Sequence, residues 1–146
     1  MLEQKWMNRF IELSKVVATW SKDPSKKIGA VIVNNENKVV SMGFNGFPKH
    51  ITDSEERLED KYFKRAICLH AEENAILCAK QDLTDCTIFI YGLPPCAHCA
   101  AMIIQSGIKT VCYRVPEEYK VSDYWKDNLK IAKNLFYEAS VCLLEI

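Results

Sequence analysis

The 146-residue chain carries a formal net charge of zero, with 49% apolar and 26% charged residues. That balance predicts one soluble globular domain over residues 1–146 and excludes a chain built as a polyanion binder, although a local basic patch can coexist with zero net charge. Nucleic acid is therefore not the expected partner. The opening MLEQKWMNRF is acidic, polar and aromatic, unlike a secretory signal, and the longest apolar runs are too short to span a bilayer, so no membrane is expected. Seven cysteines, an odd number, fit a reducing compartment in which thiols serve packing, metal binding or catalysis. The expected location is the cytoplasm.

From Trp6 to Trp20 the apolar residues Trp6, Phe10, Leu13, Val16, Val17 and Trp20 recur every three or four positions, which predicts an amphipathic helix with its aromatic residues in the core. SKDPSKK ends it. The β-branched run Ile28 to Val33, the polar turn NNEN and the following KVVSMGF predict a β-hairpin leading into FNGFP. Residues 45–65 lack periodicity and read as a functional loop region, within which SEERLEDKYF can form a short charged helix after a Ser cap. Beyond it the pattern predicts a helix over 70–80, a strand over 86–91, a helix over 96–106, a strand over 109–113, a helix over 123–139 and a last strand near VCLLEI. An opening hairpin followed by alternating helices and strands implies an α/β fold, an α-β-α sandwich with a five-stranded mixed sheet covered by helices.

HAEENAIL, residues His70 to Leu77, places a histidine and two acids at the head of a helical pattern. Downstream, PPCAHC puts two residues between Cys96 and Cys99, a spacing at which two thiols can share one metal. With His70 they make three ligands, and a catalytic zinc commonly has three protein ligands where a structural one has four. Both clusters sit where a strand or loop enters a helix, and the positive end of a helix dipole favours thiolate. Glu72, two residues from a ligand, can then shuttle a proton without ligating the metal. HxE followed by PCxxC is the pattern of zinc nucleobase deaminases.

Other readings of the same residues stand beside this one. CAHC at a helix start also suits a thioredoxin-type redox pair, which leaves His70 and Glu72 unused. A structural zinc would need a fourth ligand such as Cys68 or His98. Glu73 suits a first-turn acid, His50 a solvated loop, and Cys78, Cys86, Cys112 and Cys142 sit in apolar contexts as small buried hydrophobes.

The sequence resembles the deoxycytidylate (dCMP) deaminases of the cytidine deaminase superfamily over nearly its whole length. The likeness is carried by SKDPSKKIGAVIVNNENKVVSMGFNGFP, HAEENAI, PPCAHCAAMIIQSGIKTV and AKNLFYEASV. It implies zinc-dependent hydrolysis of dCMP to dUMP and ammonia, with His70, Cys96 and Cys99 holding zinc and Glu72 moving the proton. It further implies that Asn45 in FNG meets the sugar, that Ile28, Ala71 and Pro95 line the base pocket, and that the protein self-associates. Where the family's regulated members commonly carry a glycine and often a cysteine, this chain continues KHITDSEERLEDKYFKRAICLH, so control by dCTP and dTTP is not implied. Arg57, Lys61, Lys64 and Arg65 in this stretch are candidates for touching phosphate, against the ordinary reading of any one of them as part of a solvated charged helix face. Cytidine, deoxycytidine, dCTP, a modified dCMP or guanine are the competing substrates, and a non-catalytic zinc module is the competing role. Retention of Glu72 opposes that last role.

Overall fold

The computed structural model describes residues 2–146. In chain order it contains α1 (Gln4–Ala18), β1 (Gly29–Val33), β2 (Val39–Phe44), α2 (Glu55–Glu59), α3 (Lys61–Ile67), α4 (Ala71–Ala79), β3 (Thr87–Tyr91), α5 (Ala97–Gln105), β4 (Thr110–Arg114), α6 (Asp123–Glu138) and β5 (Cys142–Glu145). The β-branched and aromatic segments pair into one sheet of order β2-β1-β3-β4-β5. β1 runs antiparallel to both β2 and β3, whereas β3, β4 and β5 are parallel and are joined through α5 and α6. This is the expected five-stranded mixed sheet.

Side chains alternate across a strand, so each central strand feeds two cores. Ala30, Ile32, Ile88, Ile90 and Val111 pack against Ala71 and Ala75 of α4, Ala100 and Ile103 of α5, and Phe136 of α6. Val31, Val33, Phe89 and Cys112 point the other way, onto Phe10, Ile11 and Val17 of α1. Two glycines let helices approach the sheet closely. A Cβ on Gly29 would lie 2.1 Å from the Ser14 carbonyl oxygen, and one on Gly43 would lie 2.4 Å from Ala75 N and 2.5 Å from Ala71 O. α4 is thereby seated directly on β2.

The structure departs from the sequence pattern in several places. α1 stops at Ala18, and Val16 and Trp20 are exposed at 52% and 51% instead of joining the core. Val16 lies off the stripe formed by Phe10, Ile11, Ser14 and Val17, and Trp20, past the helix end, leans edge-on against Phe44 with 6.3 Å between ring centres. The charged segment forms two helices where one was expected, because Asp60 ends α2 and caps α3 by accepting from the Tyr62 and Phe63 amides at 3.0 and 3.1 Å. Ser54 caps α2, as expected, by accepting from the Arg57 amide. Cys86 and Cys112 are buried as expected, but Cys78 and Cys142 are exposed, since each lies on the outward side of its element. Among the described residues no helix is long and apolar enough to cross a membrane.

Candidate metal centre and active site

Two helix N-termini converge to build the site. The segment entering α4 is held by a two-residue bridge in which Gly46 N–H donates to Leu69 O at 3.1 Å and Leu69 N–H to Gly46 O at 2.8 Å. His70 caps α4, and its own backbone N–H is satisfied by the Glu73 carboxylate at 3.1 Å. Glu73 thus has a capping part beyond its favourable charge. Cys96 caps α5, its sulfur accepting from the Cys99 amide at 3.5 Å. The Ala97 amide donates to Asn128 Oδ1 at 2.8 Å, which ties the first turn of α5 to α6.

His70 Nδ1 lies 3.3 Å from Cys99 Sγ and 3.6 Å from Cys96 Sγ, and the three candidate ligand atoms all fall within 4.8 Å of one another. Zinc bonds of about 2.3 Å to sulfur and about 2.0 Å to nitrogen, disposed tetrahedrally, separate ligand atoms by roughly 3.5 Å. The set fits a zinc ion in spacing and in donor chemistry. Among the described residues this converging group has three members, so neither Cys68 nor the exposed His98 completes a four-ligand site.

The three candidate ligands and Glu72 perturb one another's proton affinities. The Cys96 thiol is drawn down to about 4, chiefly by the hydrogen bond from the Cys99 thiol, with His70 adding to it. Cys99 is pushed strongly upward by acting as donor to Cys96, by burial and by the nearby Glu72 charge. His70 rises to about 9, mainly through its hydrogen bond to Cys96. Glu72 sits 4% exposed with Oε2 3.1 Å from Cys99 Sγ, and burial raises its carboxyl above the usual range.

These groups open into a cavity of about 590 Å³ whose wall includes His70, Ala71, Glu72 and Cys96. Ile28 and Asn45 line it too. The cavity wall carries Pro94 where Pro95 was expected; Pro95 is buried and faces a separate small cavity with Tyr113 and Phe136. Pro94 borders both cavities, whereas Pro95 borders only the small one. The Asn45 amide is already engaged: Oδ1 accepts from Ile28 N–H at 2.9 Å and Nδ2 donates to Lys26 O at 2.9 Å. One N–H and one lone pair remain for a ligand.

Of the basic candidates, Lys61, Lys64 and Arg65 line the cavity. Arg57 does not, and instead donates to Thr52 O at 3.1 Å and stacks over Phe63. Sequence reasoning missed Asp23, Lys26, Leu93, Tyr124, Trp125 and Leu129, which also line the cavity. The aromatic pair lies too far from any motif to be found by spacing, whereas the polar SKDPSKK offered Asp23 and Lys26 only as turn residues.

A mixed sheet brings one imidazole, two cysteines and a buried glutamate to a shared cavity, and the first three form a group that could hold a metal ion with the carboxylate beside it. Residues 4–115 match the model described as the cytidine and deoxycytidylate deaminase zinc-binding region, and the chain belongs to that family, whose metal is zinc. It is 45% identical over 141 residues to a protein of Aliivibrio fischeri named as an uncharacterized deaminase in the luxG 3′ region, a match covering 94% of this chain and 90% of that one. It is 38% identical over 128 residues to the deoxycytidylate deaminase of Homo sapiens, covering 82% of this chain and 69% of that one. The fold is similar to that of the dCMP deaminase of cyanophage S-TIM5 in complex with dCMP and dUMP, with a TM-score of 0.75, 22% identity and both chains fully covered.

Proposed function

We propose that residues 1–146 form one zinc-dependent deaminase domain that converts dCMP and water to dUMP and ammonia. The observation that carries the reading is the convergence of His70, Cys96 and Cys99 with the buried Glu72 on one cavity. The 38% identity to a deoxycytidylate deaminase supports dCMP over the other small amino-substituted bases.

His70, Cys96 and Cys99 would hold zinc, which when bound acts as a Lewis acid that makes water nucleophilic near neutral pH. Burial raises the proton affinity of Glu72, so it can take one proton from the attacking water and pass it to the ring nitrogen, then take the second from the hydroxyl newly formed on the base and pass it to the departing amine. Ile28, Ala71 and Leu93 line the cavity and offer apolar surface against which the base can pack. The free N–H of Asn45 is available to a sugar hydroxyl. Seven free thiols suit the cytoplasm, and the exposed Trp20–Phe44 pair supports self-association.

Ammonia release from dCMP and from deoxycytidine, measured side by side on zinc-loaded protein and on Glu72→Gln, tests the reading. Turnover of dCMP should fall by at least about a hundredfold in the variant. Absence of turnover on dCMP in the wild type would overturn it.

A further inference from the structure

The cavity is lined by four cations drawn from two places in the chain, Lys26 in the loop before β1 and Lys61, Lys64 and Arg65 of α3, and by two carboxylates, Asp23 and Glu72. Glu72 belongs to the metal centre. The remainder of the wall is therefore strongly cationic in a chain whose net charge is zero.

The cations differ in how they are held. Lys26 Nζ donates to Lys120 O at 2.8 Å, and the Arg65 guanidinium lies 5.5 Å from the ring centre of Tyr124. Lys64 is the one locked by a carboxylate: its Nζ lies 3.2 Å from Asp23 Oδ1, and the two side chains are 18% and 9% exposed. Asp23 is itself fixed, since the same oxygen accepts from the Ser25 amide at 2.8 Å and the Lys26 amide at 3.2 Å. An ion pair this enclosed contributes little net stability, because desolvation offsets most of the Coulombic gain. Its position on the cavity wall points to function.

We propose that Lys64 is the group that reads the substrate's 5′-phosphate, and that Asp23 is a positioning residue that aims it. The inference rests on the nucleotide deaminase reading above. An ammonium has three donors, and Asp23 takes one. A phosphate dianion can accept the others, whereas a nucleoside leaves them unpaired in a partly desolvated wall, which penalises the uncharged substrate. The position in the chain agrees: Lys64 O accepts from Cys68 N–H at 2.8 Å, so Lys64 stands one helical turn before the segment that delivers His70 to the metal.

The test compares wild type with Lys64→Gln, Lys64→Arg and the double variant Asp23→Asn with Lys64→Gln, which removes both charges together and leaves no orphan carboxylate. With Lys64→Gln, kcat/KM for dCMP should fall about 10- to 100-fold, mainly through KM, and far more than for deoxycytidine. Lys64→Arg should recover much of the loss, the double variant should match Lys64→Gln, and Arg57→Ala, outside the cavity, should behave as wild type. Calorimetric binding of dUMP and deoxyuridine gives a readout free of turnover, and the wild-type preference for dUMP should shrink by the same factor in Lys64→Gln. Equal losses on dCMP and deoxycytidine, or an unaltered dUMP preference, would overturn the proposal. Failure of the deaminase reading looks different: no ammonia from dCMP, with Lys64-dependent binding of dUMP intact.

Discussion

Asn45 joins two loops that are distant in sequence and adjacent in space. Its amide accepts from Ile28 N–H and donates to Lys26 O, its backbone N–H donates to Ile28 O at 3.3 Å, and its carbonyl accepts from Ser21 Oγ at 2.8 Å. Replacing it with alanine leaves a buried amide N–H and a carbonyl without partners, at a cost of about 1–3 kcal/mol. Asn45→Ala is therefore expected to lower the urea midpoint of unfolding, whereas Asn45→Asp, which keeps the acceptor for Ile28 N–H, should lose less. An Asn45→Ala variant with wild-type stability and impaired turnover would assign the residue to ligand binding alone. The convergence of His70, Glu72, Cys96 and Cys99 was legible from sequence because HxE and CxxC fix them at short spacing on helix starts. The clamp of Asn45 was not, because nothing in FNG shows that main-chain groups 17 and 19 residues upstream come within reach. The same holds for Asp23, whose partner lies 41 residues away.

At the level of elements, the order and type of the strands and longer helices followed from β-branched runs, 3–4 periodicity and polar turns. The breaks that escaped detection have local causes, such as the Asp60 cap that divides α2 from α3. Gly43 escaped for a different reason. In a strand it reads as a weak point, yet it is the place where the backbone of α4 meets the sheet. The atoms that a new Cβ would strike at 2.4 and 2.5 Å are main chain, so no side chain can turn aside to accept it. Gly43→Ala should push α4 off β2, cost about 1–3 kcal/mol or more, and displace His70 and Glu72 with the helix start. Denaturant unfolding and kcat are the measurements, and both should fall. Gly46→Ala, which meets nothing within 4 Å, is the paired control and should leave the midpoint in place. Equal effects at the two positions would refute the close-approach argument.

On the scale of the whole molecule, composition and site give opposite impressions of charge. A net charge of zero argued against a chain built as a polyanion binder, yet folding gathers Lys26, Lys61, Lys64 and Arg65 around one cavity. The metal centre shows the same effect of assembly, since helices 26 positions apart in sequence must both dock before three ligands meet. Zinc binding should therefore depend on pH in a way the fold dictates. Without metal, Cys96 is held near 4 and is already a thiolate at neutral pH, while His70, near 9, and Cys99, pushed well above its ordinary value, both carry protons. A metal ion must displace those two protons and only those two. Affinity consequently rises with pH and falls as pH drops, by about tenfold per proton per unit and so roughly a hundredfold per unit between about pH 5 and 8. Competition against a chromophoric chelator across that range measures the slope directly. Cys99→Ser should reduce it toward one proton as well as weakening binding, whereas a slope near zero in the wild type would mean that the cluster reaches neutral pH already deprotonated.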